Sequence, residues 1–211
     1  MRVVVGMATM NGREEQVKRA IDSLYKQVDD IHIYHNDKMP EDYTDNAKFH
    51  SIIKYKKPTI FLTCDDDLIY SDGYVDFMLE GLEKHGCIVT IHGRKLLGLG
   101  RNYYKGHSAF ACHFHYPQTC EIDVSGTGVT AFRTDYFYAP DMYKAEEKRM
   151  SDLVFAREAA KQGKKIMHLG HKQGLVTQQP IPMERTIYGM EHKNCEIQNK
   201  IADEIYSIKY F

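Results

Sequence analysis

Three consecutive aspartates, Asp65, Asp66 and Asp67, directly follow an apolar run, 58–63, that predicts a buried strand. In an open parallel sheet, ligands bind beyond the carboxyl ends of the strands. Because alternate residues of an extended chain point the same way, Asp65 and Asp67 can converge on one ligand. Two carboxylates without histidine or cysteine suit a hard divalent cation, Mg²⁺ or Mn²⁺, that in turn holds a diphosphate. The alternative is a solvated turn whose aspartates cap the next helix.

The elements that would position this triplet predict an α/β fold with a mostly parallel central sheet. Arg2–Met7 predicts a buried strand, the apolar spacing over 17–24 predicts a helix, and 31–34 predicts a second strand. Such a β-α-β opening is typical of a parallel sheet. Further strands are predicted at 87–91, 129–133 and 164–169, and further helices after Ser71, over 153–162 and from Glu191 onward.

Two stretches lack a clear period. Residues 38–50 predict a loose connection. Residues 93–120 are rich in glycine, histidine and tyrosine, and they predict a long excursion over the sheet. Long excursions of this kind in compact domains often carry function.

The order of short motifs along the chain resembles that of family-2-like glycosyltransferases with the GT-A fold, in a bacterial and phage subgroup. The segment Thr59–Val75 resembles their nucleotide-sugar-binding segment with its DxD-type motif, and Val3–Thr9 resembles their first strand and donor-contacting loop. The other matching motifs, in chain order, are Asp45-Asn46-Ala47-Lys48-Phe49, His92-Gly93-Arg94, Gly126-Thr127-Gly128, Ser151-Asp152 and His171-Lys172. The resemblance covers most of residues 2–175 and implies a Rossmann-like, nucleotide-diphospho-sugar transferase domain.

On the donor side, the resemblance implies contacts to the nucleotide sugar from the ends of the first strands. Ala8 and Thr9 would contact the base and the ribose, and Asp37 would contact the base. Lys48 would face the ribose or a phosphate. Asp66, in the middle of the triplet, belongs to the same donor-binding set.

For the chemistry, the resemblance implies a divalent cation and a general base. Asp67 would bind Mn²⁺ or Mg²⁺ directly, Asp65 would approach the ribose or the cation, and His171 would complete the metal or diphosphate site. Asp152 would take the proton of the acceptor hydroxyl. At a helix start, the helix dipole favours the charged form of Asp152 and makes it a weaker base. The alternative is that Asp152 only stabilises that helix.

The chain departs from the family pattern at two places. Its base motif is Ser151-Asp152, without the usual acidic neighbour. The family's tryptophan after the late histidine is missing, and the chain contains no tryptophan. If a ring stacks on the acceptor, Tyr103, Tyr104 or another tyrosine of the excursion must supply it.

Composition restricts the classes of protein. The chain has 28 Lys and Arg against 29 Asp and Glu, so it lacks the general attraction of a strongly basic protein to nucleic acid or anionic membranes. Mean hydropathy is -0.50 and no apolar run approaches the ~20 residues that span a bilayer, which predicts a soluble protein without a membrane span. Five widely spaced cysteines without a CxxC pair disfavour a disulfide scaffold and predict a cytoplasmic location.

The length of 211 residues predicts a single domain over 1–211. Within it, we place a nucleotide-sugar-binding half at 1–95, an acceptor half at 96–180 and a C-terminal helical tail at 181–211.

Three other patterns have simpler explanations. Gly126-x-Gly128-x-x-Ala131 fits a relaxed dinucleotide fingerprint, but a predicted strand follows it where a helix is required. The histidines and cysteines between 107 and 120 contain no tight pair of zinc ligands. The basic and aromatic runs at 54–57 and 101–105 suit single-stranded nucleic acid, but a solvated face and an ordinary lysine-rich turn account for them better.

The sequence therefore predicts an enzyme, a metal-dependent glycosyltransferase that moves a sugar from a UDP-sugar to an acceptor hydroxyl. Similar members of the family invert the anomeric carbon. The acceptor would be a saccharide, a small molecule or, as in phage enzymes, a hydroxymethylated base of DNA. The alternative from another class is a non-catalytic module that binds a nucleotide sugar.

Overall fold

The computed structural model describes residues 1–181 and 195–211. In this part of the chain the strands are β1 (Arg2–Thr9), β2 (Asp30–His35), β3 (Thr59–Asp65), β4 (Leu68–Tyr70), β5 (Ile88–Thr90), β6 (Gly93–Lys95), β7 (Ser108–Phe110), β8 (Cys120–Ile122), β9 (Val124–Ser125), β10 (Val129–Arg133), β11 (Ile166–His168) and β12 (Val176–Gln178). The helices are α1 (Glu14–Leu24), α2 (Tyr74–His85), α3 (Ser151–Lys161) and α4 (Glu196–Tyr210), with 3₁₀ helices at Thr44–Lys54 and Met142–Lys144.

A seven-stranded sheet forms the centre of the fold, in the order β2-β1-β3-β10-β5-β11-β8. Strands β2, β1, β3, β5 and β11 run in one direction, whereas β10 and β8 run in the opposite direction. The prediction of an α/β fold with a mostly parallel central sheet is therefore confirmed. The excursion after β5 contributes most of a separate three-stranded sheet, β7-β6-β9.

The central strands are apolar on both sides because helices cover both faces of the sheet. Val5 and Leu62 belong to the core cluster that α1 and α2 complete on one face. Val4 and Phe61 belong to the cluster that α3 and the 3₁₀ helix Thr44–Lys54 complete on the other. All four side chains have no exposed surface. This double packing fixes the register of β1 against β3.

The carboxyl ends of β1, β2 and β3 lie together at one edge of the sheet. In the parallel register, Thr9 is the partner of His35, and Ala8 is the partner of Asp65. The loop after β1, the turn at Asn36–Asp37 and the aspartate triplet are therefore neighbours, as the ligand-binding edge of a parallel sheet requires.

The segment 38–50 differs from its predicted loose connection. Most of it belongs to the 3₁₀ helix Thr44–Lys54, in which Phe49 and Ile52 are fully buried. The helix lies so close to β1 that a Cβ added to Gly6 would be 2.0 Å from the carbonyl oxygen of Lys48. Its polar residues obscure the helical pattern in the sequence because Asn46 and Lys48 also point inward.

The C-terminal tail contains α4, which packs on α3 through Ile201, Ala202 and Ile205. The predicted start of this helix at Glu191 lies outside the described residues. No helix within 1–181 or 195–211 combines the length and the apolar character that crossing a bilayer would require.

Candidate functional site

A cavity of about 950 Å³ opens at the carboxyl edge of the sheet. Its walls come from the loop after β1, the start of the 3₁₀ helix, the triplet after β3, the β6 region, the start of α3 and the start of α4. Eight of the nine residues predicted from the sequence as site residues line it: Ala8, Thr9, Asp37, Lys48, Asp65, Asp66, Asp67 and Asp152. The ninth, His171, does not.

Asp66 connects the triplet to the first loop. Thr9 Oγ1 donates a hydrogen bond to Asp66 Oδ2 at 2.7 Å, and Arg13 Nη1 lies 2.6 Å from Asp66 Oδ1. Burial raises the pKa of Asp66, while the charge of Arg13 and these hydrogen bonds oppose that shift. Because protein groups engage both carboxylate oxygens, we interpret Asp66 as a residue that positions the loop rather than as a contact to the donor.

Lys48 is a largely buried residue of the cavity wall, and its ammonium group bonds to other side chains of the protein. Its ammonium group forms an ion pair with Asp65 and lies 3.3 Å from Thr127 Oγ1. Burial alone would lower the pKa of Lys48, but the nearby charges of Asp65 and Asp45 outweigh it and raise the pKa. The lysine predicted to face the ribose or a phosphate therefore orients the Asp65 carboxylate.

Asp65 is held from three sides. Its backbone N–H donates to Tyr70 Oη at 2.8 Å, and Tyr70 Oη donates to the carbonyl oxygen of Gly128 at 2.8 Å. A Cβ added to Gly128 would lie 2.1 Å from Asp65 Oδ2. The ion pair with Lys48 and the close approach of Gly128 restrict the carboxylate on one side, while 38% of the Asp65 side chain stays exposed.

We expect Gly128→Ala to lower the kcat/KM for any reaction of this cavity by about 10²-fold, because the added methyl displaces the Asp65 carboxylate by about 1 Å. Steady-state kinetics and a thermal melt measure the effect. Gly163→Ala is the matched control, since Gly163 has a φ of +61° and open surroundings outside the cavity. Its strain costs about 1–3 kcal/mol without touching the cavity. Equal activity losses in the two variants would contradict the role given to Gly128.

Asp67 is a partly buried carboxylate next to two other acidic side chains. Burial raises its pKa to about 7, the charges of Asp65 and Asp66 add to the shift, and those of Arg13 and Lys48 oppose it. Among the residues described, its carboxylate accepts a side-chain hydrogen bond only from Gln178 Nε2, at 3.4 Å. A crowded carboxylate with hard oxygen donors is an environment that a divalent cation stabilises.

Within 1–181 and 195–211, no three His, Cys, Asp or Glu side chains are placed to hold a metal ion together. Asp65 and Asp67 nevertheless fit a cation of the Mg²⁺ or Mn²⁺ type. Such ions are usually bound by one or two carboxylates, with substrate phosphates and water supplying the other ligands.

Asp152 is the second residue of α3 and is partly exposed to the cavity. Its Oδ1 accepts hydrogen bonds from the N–H and the Oγ1 of Thr127, both at 2.7 Å. Burial raises the pKa of Asp152, although the two bonds from Thr127 and the charge of Lys48 oppose the shift. The raised pKa is opposite in direction to the expectation that the helix start makes Asp152 a weaker base, and its largest cause is desolvation. Among the residues described, none donates a hydrogen bond to its Oδ2.

The acidic neighbour missing from the Ser151-Asp152 motif is replaced in space by Asp45. Asp45 Oδ2 accepts a hydrogen bond from the backbone N–H of Ser151 at 2.9 Å. A carboxylate at this position stabilises the amino end of α3. Sequence reasoning included Asp45 in a motif but gave it no role.

His171 lies apart from the triplet. Its backbone forms a bridge with Tyr116, and its ring packs against Tyr116 and His168 at centroid distances of 5.8 and 5.5 Å. The structure does not bring His171 to the cavity, so the expected contribution to the metal or diphosphate site has no geometric support. The motif follows β11, as the sequence order indicates, but the part of the chain that reaches the triplet lies further along, where the Gln179 N–H donates to the carbonyl oxygen of Asp67 at 2.8 Å.

His168 makes the fold sensitive to acid. The side chain is fully buried against Phe110 and Tyr116, and burial lowers its pKa to about 4. Between pH 6.5 and 4 this histidine is protonated in the unfolded chain but not in the folded protein. The free energy of unfolding therefore decreases by up to about 1.4 kcal/mol for each unit by which the pH is lowered. We expect His168→Phe to reduce the difference in melting temperature between pH 7 and pH 5. His85→Gln is the control, and an unchanged difference in His168→Phe would contradict this assignment.

The wall expected to meet the acceptor contains an arginine over two tyrosines. The guanidinium carbon of Arg94 lies 4.9 Å from the ring centre of Tyr103 and 5.6 Å from that of Tyr104. All three residues line the cavity. The tyrosines expected to stack on an acceptor thus present ring faces to Arg94.

No family model matches the chain. No curated protein matches it in sequence. Among solved structures, the chain is similar to A197 from STIV, with 12% sequence identity, a TM-score of 0.45, and coverage of 86% of this chain and 96% of that chain.

Proposed function

We propose that the protein is a metal-dependent, inverting glycosyltransferase of the GT-A type that moves a sugar from a UDP-sugar to an acceptor hydroxyl. One observation carries the proposal. A single cavity at the carboxyl edge of the sheet contains the crowded pair Asp65 and Asp67 and, separately, Asp152 with a raised pKa. These are the groups that a cation-bound diphosphate and a general base require.

The donor would lie along the ends of β1, β2 and β3. Ala8 and Thr9 line the wall expected to meet the base and ribose, and Asp37 lies beside them because its carboxylate accepts a hydrogen bond from the Asn11 N–H. Asp65 and Asp67 would hold Mn²⁺ or Mg²⁺. The bound cation supplies Lewis-acid stabilisation of the negative charge on the diphosphate.

Asp152 would act on the acceptor. Its free Oδ2 takes the proton from the acceptor hydroxyl as the hydroxyl oxygen bonds to the anomeric carbon. The bond from that carbon to the phosphate oxygen breaks, and UDP leaves with the electron pair. One displacement of this kind inverts the anomeric carbon, and it needs no nucleophile from the protein.

The two alternatives differ in their support. The basic run 54–57 precedes the amino end of β3, away from the carboxyl edge where the cavity lies, whereas Tyr103 and Tyr104 of the second run, 101–105, line the cavity. Transfer to a hydroxymethylated base of DNA is therefore the second candidate. A module that only binds a nucleotide sugar gives no reason for a further desolvated carboxylate, Asp152, in the same cavity. All five cysteines are free, which fits the cytoplasmic location that forms part of this proposal.

A thermal-shift panel of nucleotide sugars tests the proposal. A ligand at about 100 times its Kd stabilises the native state by about 2.7 kcal/mol. We expect UDP-sugars to raise the melting temperature by several degrees with Mn²⁺ and much less with a chelator. No shift with any UDP-sugar and Mn²⁺ would contradict the proposed donor.

A further inference from the structure

Gln198 is a buried polar side chain without a partner at the cavity wall. It is 2% exposed, and neither its Oε1 nor its Nε2 has a hydrogen-bond partner among the residues described. It nevertheless lines the cavity. Burying an amide without hydrogen-bond partners destabilises the folded state. We therefore expect a ligand in the cavity to provide the hydrogen bonds that the Gln198 amide lacks.

The packing of α4 places Gln198 beside the acceptor-side wall. On this helix, Ile201, Ala202 and Ile205 contact the core cluster that also contains Tyr103 and Leu153. Gln198 precedes Ile201 and Ala202 by three and four residues, so it lies on the same face one turn earlier.

A hydrogen bond within the wall confirms this placement. The neighbouring Asn199 Oδ1 accepts a hydrogen bond from the Tyr103 N–H at 2.7 Å. Tyr103 in turn carries Arg94 on its ring and lies close enough to Asp152 to be affected by its charge. Gln198, Arg94 and Asp152 all line the cavity, and Tyr103 connects them, since it bonds to the residue after Gln198, stacks with Arg94 and is affected by the charge of Asp152.

The chemistry of this region suits hydroxyl groups rather than an aromatic ring. The guanidinium of Arg94 covers ring faces of Tyr103 and Tyr104, so these faces do not offer a free stacking platform for a base. The remaining groups are the guanidinium donors and an amide that both donates and accepts. Two adjacent hydroxyl groups on a sugar ring present the matching acceptor and donor.

We propose that Gln198, together with Arg94, binds adjacent hydroxyl groups of a carbohydrate acceptor next to Asp152. This inference rests on the proposed function, because it assigns the acceptor of the same cavity. It also gives α4 a role, since this helix completes the acceptor wall.

Side-chain amide NMR tests the inference with the wild-type protein. The Gln198 NH₂ pair is assigned by comparison with Gln198→Leu, and UDP with Mg²⁺ is present throughout. Methyl hexopyranosides are then titrated in, and we expect them to shift the Gln198 pair. The Gln162 pair is the control, since its Nε2 donates to the Tyr138 carbonyl oxygen outside the cavity. An unmoved Gln198 pair, or one that moves with an oligonucleotide containing hydroxymethylcytosine instead, overturns the inference.

Kinetics separate this inference from the proposed function. We expect Gln198→Ala to lower kcat/KM for a methyl hexopyranoside about tenfold, through the lost hydrogen bonds. Gln162→Ala is the matched control, since Gln162 lies outside the cavity, and it should keep the wild-type kcat/KM. Equal loss in the two variants overturns the inference about Gln198, whereas absence of UDP-sugar hydrolysis in the wild type overturns the proposed function itself.

Discussion

Asp152→Asn is expected to lower the kcat of sugar transfer by about 10²–10⁴-fold, the usual contribution of a general base. The asparagine oxygen can still accept both hydrogen bonds from Thr127, so the start of α3 keeps its geometry. What is lost is the second carboxylate oxygen, which would take the proton. Affinity for the UDP-sugar with Mn²⁺ should stay close to that of the wild type, measured by the thermal shift.

The pH dependence gives an independent check on Asp152. Because a general base must be unprotonated, kcat/KM falls as the pH drops through the pKa of Asp152. Burial raises this pKa, so we expect the fall in kcat/KM at a higher pH than for an ordinary aspartate. Asp141→Asn is the matched control, since the Asp141 side chain is 77% exposed and lies outside the cavity. Full transfer by Asp152→Asn would remove this residue from the proposed chemistry.

Asp67→Asn is expected to lower kcat/KM by more than about 10²-fold at fixed Mn²⁺, because Lewis-acid stabilisation of the leaving group is worth several kcal/mol. The same change removes a negative charge next to Asp65 and Asp66. The metal-free variant should therefore melt a few degrees higher than the wild type, at about 2–4 °C per kcal/mol for a chain of this size. Loss of activity with gain of stability is what a carboxylate retained for function predicts.

The control for Asp67 is Asp72→Asn. Asp72 is exposed, lies five residues later in the chain and does not line the cavity. This variant should keep both wild-type kinetics and wild-type response to Mn²⁺. If Asp67→Asn kept an unchanged dependence of rate on Mn²⁺ concentration, the cation would have to bind elsewhere.

The gathering of the site residues was predictable because it follows from sheet topology. Residues that end neighbouring parallel strands, such as Ala8 and Asp65, must meet at one edge once the strands are recognised. The apolar runs before them are strong signals. The same argument fails for His171, because the strand before it, β11, is three strands away from β3 and its end is not a neighbour of the triplet.

The inner contacts of the site could not be predicted because they depend on side chains that meet across long stretches of chain. Arg13 bonds to Asp66 over a separation of 53 residues, and nothing in its local sequence distinguishes it from a surface arginine. Gln198 is another example, since a glutamine on a helix face is normally exposed. Only the packing of α4 on α3 brings it to the cavity wall.

The protonation chemistry of Asp152 illustrates a conflict between local and tertiary effects. The local effect, a carboxylate in the first turn of a helix, stabilises the charge by roughly 0.3–1 kcal/mol. The tertiary effect, removal of water by the surrounding cavity wall, acts in the opposite direction and raises the pKa of Asp152. Sequence can show the helix start, but it cannot show the burial.

Release of UDP from a nucleotide sugar is the direct test of whether this cavity carries out sugar transfer. Purified protein is incubated with UDP-hexoses and UDP-N-acetylhexosamines in the presence of Mn²⁺, and free UDP is measured over time. We expect slow release of UDP from at least one of these donors, because water can take the place of the acceptor. Release should be lost in Asp67→Asn and in the presence of a chelator. If the protein binds a UDP-sugar with Mn²⁺ yet releases no UDP from any donor, the cavity is a binding site without transfer chemistry, and the account is contradicted.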